Sequence, residues 1–382
     1  MIKIGILTYH YSNNFGGVLQ SYALYKHLKS IGANVEILNF VPLNYNNRSI
    51  LFETGIRKNI FKMKIEDIDP KLLANRILIK KRYSKEIIRK FDLFRDSMEM
   101  SEKVNEGNIT SVINNYDVII VGSDQVWSSG QRNKKEYFLG FDNRFKGKKI
   151  SYAADSTISE VDPNQANKLK GYLEDFDFIS VRNDHTHKFV KTLIGRSAPI
   201  VVDPTILFNF DNFEESNINT LIKDEKYILV YALGKEINGT NKKAIEKIKQ
   251  IYGDIKVYSV VIPTMKFNLC NYADKVFYDI GPLEWIDLFK NASFIYTDSY
   301  HGVLFSLKYH KPFLAYYTEK LRATRFIDLG KRYSIDKYIV QNIREIDDNK
   351  LLDRLPDFNS IDKIIDLQKI SSLEFLKKAL SE

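Results

Sequence analysis

The chain has 382 residues, with 57 Lys and Arg against 48 Asp and Glu, a formal net charge of +9. Hydrophobic residues at 44% and charged residues at 27% describe a globular chain, and its length exceeds what one core ordinarily serves, so two domains are expected. One cysteine, Cys270, excludes an internal disulfide and a cysteine-built metal site, and no ligand cluster suggests a metal of another kind. No zinc-finger spacing, Walker A loop or RNA-reading aromatic motif occurs, so the positive surplus points to a phosphate ester, a nucleotide sugar or an acidic membrane face rather than to nucleic acid.

Taken in order, the elements alternate. The opening Met1–Thr8 is too short and too soon interrupted for a signal peptide and reads as a buried first strand over Lys3–Thr8; with no apolar run near the roughly 20 residues of a spanning helix, a cytoplasmic protein is expected. A helix over Gly16–Ile31 follows, with Leu24, Leu28 and Ile31 on one face, then a strand over Asn34–Phe40. This βαβ opening implies a parallel sheet with a right-handed crossover. Residues 41–75 look irregular, and a helix is expected from about Asn75 to Met98. Strands follow at Asp117–Gly122 and Lys149–Ala154, a helix at Pro163–Phe176, and strands at Phe178–Val181 and Pro199–Val202.

The polar stretch 209–226 marks a domain boundary, giving an N-terminal unit over 1–208 and a C-terminal unit over 209–345. The second series is strand Tyr227–Leu233, helix Thr240–Tyr252, strand Lys256–Ile262, helix Leu283–Asn291, strand Phe294–Thr297, helix Gly302–Tyr309 and strand Pro312–Tyr317. Residues 346–382 form a helical segment that can fold back on the first domain. Two tandem Rossmann-like α/β units resemble the architecture of GT-B glycosyltransferases, and in open α/β sheets ligands sit beyond the C-terminal strand ends.

Four strand-end motifs carry chemistry. In the first, Thr8 to Gly17, two glycines permit close backbone approach and a helix start offers unpaired N–H groups to an anion, while Asn13, Asn14 and Gln20 add sugar-type hydrogen bonding. It is not a GxGxxG fingerprint, so a dinucleotide is disfavoured; a plain polar turn is the alternative. In the second, Gly122-Ser123-Asp124-Gln125-Val126-Trp127, a carboxylate, an amide and an indole can bond hydroxyls and stack on a sugar, or else cap a helix and pack between domains. In the third, Arg182 can clamp a carboxylate or phosphate, or pair with a nearby acid such as Asp184. In the fourth, Thr297-Asp298-Ser299-Tyr300-His301-Gly302, a strand end presents a histidine able to exchange a proton near neutral pH. Lys320, Arg322 and Arg325 follow at a loop–helix junction and suit phosphate, or form a solvated charged face.

Together these motifs resemble the polysaccharide pyruvyl transferase family: Asn14 to Gln20, Gly122 to Trp127, Ser180-Val181-Arg182, Val202-Asp203-Pro204-Thr205 and Thr297 to Gly302 occur in the family's order. The resemblance implies a GT-B-like fold and transfer of a carboxyethylidene group from phosphoenolpyruvate, a co-substrate with no further cofactor, to a sugar carried by a lipid or a nucleotide. It makes His301 the general acid and Asp298 and Asp124 candidates for the base or for orienting His301. Arg182, Arg325 and Lys320 would bind the donor, and Asn14, Gly16, Gly17, Gln20 and Trp127 would face the acceptor. Some members carry Arg-Leu-His where this chain has Ser299-Tyr300-His301, so either Arg325 or Lys320 stands in for that arginine or the donor differs. A glycosyltransferase using a nucleotide sugar, and a non-catalytic sugar-binding subunit, remain alternatives.

A weaker signal lies in 75–96, where eight Lys and Arg alternate with Ile79, Tyr83, Ile87, Phe91 and Phe94 at helical spacing. Such a helix can rest on an anionic inner membrane face, or pack its apolar side on its own domain.

Overall fold

The computed structural model describes residues 2–43, 45, 85–128, 135–141, 144–158, 161, 163–212, 221–223, 225–262, 270, 272–348, 352 and 355–382. Its strands are short apolar runs: β1 (Lys3–Leu7), β2 (Asn34–Ile37), β3 (Val118–Val121), β4 (Lys148–Ala154) and β5 (Phe178–Val181) form one sheet in the order β2-β1-β3-β4-β5. A second sheet takes β6 (Tyr227–Tyr231), β7 (Lys256–Val260), β8 (Lys275–Phe277), β9 (Phe294–Thr297), β10 (Phe313–Tyr316) and β11 (Ile339–Val340), in the order β11-β10-β9-β6-β7-β8. Every described pairing between these strands is parallel. Parallel sheets are covered on both faces, which is why runs such as Val118-Ile119-Ile120-Val121 are apolar without alternation and wholly buried.

The covering helices are α1 (Phe15–Ser30), α2 (85–95), α3 (Pro163–Glu174), α4 (Asp184–Ile194), α5 (Pro204–Leu207), α6 (Asn241–Tyr252), α7 (Pro282–Asn291), α8 (Tyr300–Lys308), α9 (Lys320–Tyr333), α10 (Arg344–Asp348) and α11 (Phe358–Ser381). In each sheet the first strand has its sequential neighbour on one side and a later strand on the other, so the side on which strands are added reverses between β1 and β3 and again between β6 and β9. Those two switch points open crevices at the strand ends, and they are where the first and second motifs, and the fourth motif, emerge.

Helix α1 joins the two units. Its Phe15 stacks on Trp285 of α7 at 5.5 Å between ring centres and packs against Tyr231 and Phe91. One buried apolar cluster runs from Ile4 and Ile6 through Phe15 and Trp285 to Phe305 and Phe313. Helix α11 crosses back to the first unit, where the Val202 amide donates to Ser372 Oγ at 3.0 Å and Lys148 Nζ donates to the Ala379 carbonyl at 3.0 Å.

The segment Pro199–Val202, expected as a strand, makes only an isolated bridge between Val181 and Ile200; Pro199 has no N–H to donate and contributes its carbonyl to Val181 N alone. Helices α4, α5 and α9 and strands β8 and β11 are additions that the sequence reading lacked. Of the basic amphipathic segment, 75–84 lie outside the described residues. In α2, Ile87, Phe91 and Phe94 are buried, Phe91 and Phe94 against Phe15 and Tyr22 of α1, so that apolar side is spent inside the protein and is not offered to a membrane. Among the described residues no helix is long and apolar enough to cross a membrane.

Candidate functional site

The loop after β1 is fixed before it reaches any ligand. Arg95, at the end of α2, donates to the carbonyls of His10 (3.0 Å) and Tyr11 (3.1 Å) and to Asn13 Oδ1. Asn14 caps α1 by accepting from Gly17 N at 3.1 Å. Gln20 is fully enclosed: it donates to Thr8 Oγ1 and Gly17 O and accepts from Ser123 N at 3.0 Å, tying the ends of β1 and β3 to α1. It cannot face an acceptor, because each end of its amide is already spent in the interior.

At the end of β3 the chain turns sharply. Gly122 has φ +117°, and a Cβ there would lie 2.2 Å from the Tyr152 carbonyl oxygen. Asp124 adopts φ +73°, uncommon for a residue with a side chain, and so aims its carboxylate back toward Arg182 and Gly17. Trp127 is a core residue: it is 0% exposed, stacks on Phe138 and donates Nε1–H to the Tyr137 carbonyl at 2.9 Å. Its expected place against an acceptor sugar is therefore corrected; the indole found its hydrogen-bond partner inside.

Arg182, leaving β5, is also 0% exposed. Its Nη1 lies 3.1 Å from Asp203 Oδ2, and its Nη2 lies 2.5 Å from Asp155 Oδ2 and 3.3 Å from Asp124 Oδ1. Its guanidinium sits 4.4 Å over the ring of Tyr300. Burial alone would lower its pKa, but Asp155 and the other neighbouring anions hold it well above the usual arginine value. Asp155 and Asp203 are correspondingly held below the usual carboxylate range: burial pushes both up, and Arg182 with Arg325 for Asp155, and His301 with Arg182 for Asp203, outweigh it. In this arrangement the guanidinium of Arg182, expected to bind the donor, is enclosed and spent on three carboxylates.

From the second unit, Ser299 caps α8 by accepting from Gly302 N at 3.3 Å, and the turn before it is held by Thr297 Oγ1 donating to the Tyr231 carbonyl at 2.7 Å. Gly302 is required here, since a Cβ would fall 2.3 Å from Thr297 Oγ1. His301, at the second position of α8, crosses to the first unit: it is 7% exposed, its Nε2 lies 3.6 Å from Asp203 Oδ2, and its ring rests on Gly16 at the start of α1. Asp298 is turned elsewhere. It accepts from the amides of Leu233 (2.6 Å) and Gly234 (2.7 Å) and from Arg322 Nη1 (2.6 Å), holding the loop after β6 and one cation of α9 in place. Burial raises its pKa against the opposing pull of Arg322 and those amides. None of these contacts is to His301, so Asp298 is an anchor for Arg322 rather than an orienting group for the imidazole.

Arg325, one turn along α9, makes no ion pair among the described residues, and its Nε is enclosed without a partner. Burial lowers its pKa, while Asp155 and Asp124 are close enough to oppose that. It is thus a partly buried cation beside the cluster. Lys320 begins α9, but its side chain is outside the described residues. The structure therefore brings together His301, Asp124, Arg182, Gly16 and Gly17, with Arg325 beside them. Gln20 and Trp127 fall in the interior. Asp155, Asp203 and Tyr300 belong to the cluster although sequence reasoning gave them no role; the strand-end rule, applied to Ala154-Asp155 after β4, would have found the first.

A model of the polysaccharide pyruvyl transferase family matches residues 14–320. The chain belongs to that family. The matched stretch begins at the cap of α1 and ends at the start of α9, so it contains Asp124, Arg182, Asp203 and His301. Solved structures of similar fold include Arabidopsis thaliana UGT89C1 complexed with UDP-L-rhamnose, at 11% identity, with 99% of this chain and 97% of that chain covered and a TM-score of 0.53. The UDP-GlcNAc 2-epimerase from Neisseria meningitidis bound to UDP-GlcNAc also matches at 11% identity, with 99% and 100% covered and a TM-score of 0.53. These likenesses give the pyruvyl transferase family member a GT-B-like fold and nothing finer. A search among curated protein sequences returns no significant match.

Proposed function

We propose that this pyruvyl transferase family member moves a carboxyethylidene group from phosphoenolpyruvate onto two hydroxyls of one sugar in a cell-surface glycan precursor, releasing phosphate. The observation that carries the reading is His301 presented across the domain boundary, with the unpaired Arg325 beside the same cluster. Protonated His301 gives its proton to the methylene carbon of the enol. The double-bond pair forms the new C–H bond and leaves the adjacent carbon cationic. A sugar oxygen bonds to that carbon and its proton passes to a base, for which Asp124 is the most open carboxylate on Arg182, at 20% side-chain exposure. The carbon–oxygen bond to phosphate then breaks with its electron pair on phosphate, and the second sugar oxygen closes the ketal. Of the two hydroxyl protons, one replaces that delivered to the methyl group and the other leaves with phosphate.

Arg325, with Lys320, binds the donor's anionic groups, and Asn14, Gly16 and Gly17 line the acceptor side. Incubation with phosphoenolpyruvate and a panel of sugar acceptors should give phosphate release and a matching carboxyethylidene mass gain. His301→Gln should lose about 10²–10⁴ in rate, the usual worth of a general acid. No mass gain across the panel, with thermal stabilisation by nucleotide sugars and none by phosphoenolpyruvate, would replace this reading with glycosyl transfer from a nucleotide sugar.

A further inference from the structure

We propose that Asp203 is a positioning residue that holds the Nε2 edge of His301, so that Nδ1, lying over Gly16, is the nitrogen that surrenders the proton. Asp203 is itself clamped. Its Oδ1 accepts from Thr205 N at 3.0 Å and Thr205 Oγ1 at 2.8 Å, and its Oδ2 faces Arg182 Nη1 at 3.1 Å. The same Oδ2 lies 3.6 Å from His301 Nε2. That nitrogen is enclosed and makes no full hydrogen bond, so Asp203 is the group placed to accept one from it.

The other edge is different. A Cβ built on Gly16 would lie 2.0 Å from Nδ1, 2.4 Å from Cγ and 2.6 Å from Cε1. The Nδ1 edge therefore occupies the space left by a missing side chain, at the first turn of α1, which carries no acidic residue. With Nε2 enclosed, the ring's remaining exposure lies on its other atoms, and Nδ1 is the only other nitrogen that can carry a proton. An imidazolium held at Nε2 by a carboxylate gives up Nδ1–H and is left as the Nε2–H tautomer. This is the arrangement by which a buried carboxylate fixes the tautomer of a catalytic histidine.

Substitution by asparagine makes the idea sharp. In Asp203→Asn the amide oxygen keeps both Thr205 contacts when the NH₂ group takes the place of Oδ2, which gives up the contact with Arg182 Nη1 and points a donor at His301 Nε2. The neutral ring must then carry its proton on Nδ1. The proposal rests on the proposed reaction for the word proton donor, but its structural half can be read without any substrate. With ¹⁵N-histidine labelling and His301→Gln to assign the signal, the neutral ring of the unaltered protein should show the Nε2–H tautomer, and Asp203→Asn should show Nδ1–H. An Nδ1–H ring in the unaltered protein, or an unchanged ring in Asp203→Asn, overturns the proposal. If Asp203→Asn does not fold, the tautomer of the unaltered protein decides alone. In the phosphoenolpyruvate assay, Asp203→Asn should lower kcat by about 10²-fold with KM changed by less than about threefold; an unchanged kcat also overturns it. If phosphoenolpyruvate is not turned over and yet the tautomer switches, the reading of the reaction fails while the role of Asp203 stands.

Discussion

At Gly16 a single methyl group and the imidazole of His301 compete for one volume, since the added carbon would lie 2.0 Å from Nδ1. Alanine is otherwise the better helix former by up to about 1 kcal/mol, so the backbone has no objection to it. Gly16→Ala should leave a folded protein with a cooperative thermal transition but displace His301, lowering activity by about as much as loss of the general acid, 10²–10⁴-fold. Activity within about threefold of the unaltered protein would mean that the ring is not needed where it stands. This contact was not legible in the sequence, which shows a glycine pair at a helix start and a histidine some 280 residues later. The positions of the polar side chains after each strand were legible, but not their directions. Gln20 and Trp127 have the right chemistry for a sugar and turned inward, because an amide between two strand ends and an indole beside Phe138 find partners there. Asp203 was visible as part of a recurring string, yet its use depends on Arg182 and His301 arriving from β5 and α8, which no local pattern records.

The loop between β1 and α1 is an element whose stability should depend on pH through one buried ring. His10 is fully enclosed, with Nδ1 3.2 Å from the Thr8 carbonyl and Nε2 3.1 Å from Asn39 Oδ1, and burial lowers its pKa to about 4, with its contacts to Asn39 and Thr8 opposing the shift and Arg95 adding to it. Its folded pKa lies below the unfolded value of 6.5, so the unfolded chain takes up a proton that the folded one refuses, and stability falls as pH drops from 6.5 towards 4. Between pH 7 and pH 5 the loss should be about 2 kcal/mol from this residue. Urea unfolding of the unaltered protein and of His10→Gln at both pH values should show that extra acid sensitivity only in the former; equal sensitivity would place the proton elsewhere. At this scale the sequence was most informative where apolar runs and caps were strong. β5 and β9 fall on the expected residues. Helix α9 was read as a junction because its charges, Lys320 to Arg332, mask a buried face set by Phe326 and Leu329. Strand β8 is three residues long, too short to show a period.

For the whole molecule, the geometry of the site requires that the two units keep one relative placement, because His301 comes from one and Asp203 and Gly16 from the other. Several contacts enforce it. Lys90 pairs with Glu284 at 2.5 Å, Arg332 donates to the Arg182 carbonyl at 2.8 Å, and the Asp184 amide donates to Asp328 Oδ1 at 3.0 Å. The larger share falls to the shared apolar cluster in which Phe15 meets Trp285, which in turn packs on Phe289 and Phe305. Polar contacts at a partly solvated boundary are worth little each, whereas a fully buried tryptophan truncated to alanine costs about 3–5 kcal/mol. A core that crosses the boundary should make the two units unfold together. The chain's two tryptophans allow a direct test, since Trp127 lies in the first unit and Trp285 at the junction. In Trp285→Phe, which keeps an aromatic ring in the cluster, indole fluorescence reports Trp127 alone while far-ultraviolet circular dichroism reports both units. The two denaturation curves should coincide, and Trp285→Ala should shift both to lower denaturant. If fluorescence and circular dichroism separate in Trp285→Phe, the units are independently stable, and the placement of His301 over Gly16 must then be secured by the polar contacts, by helix α11, or by the substrate itself.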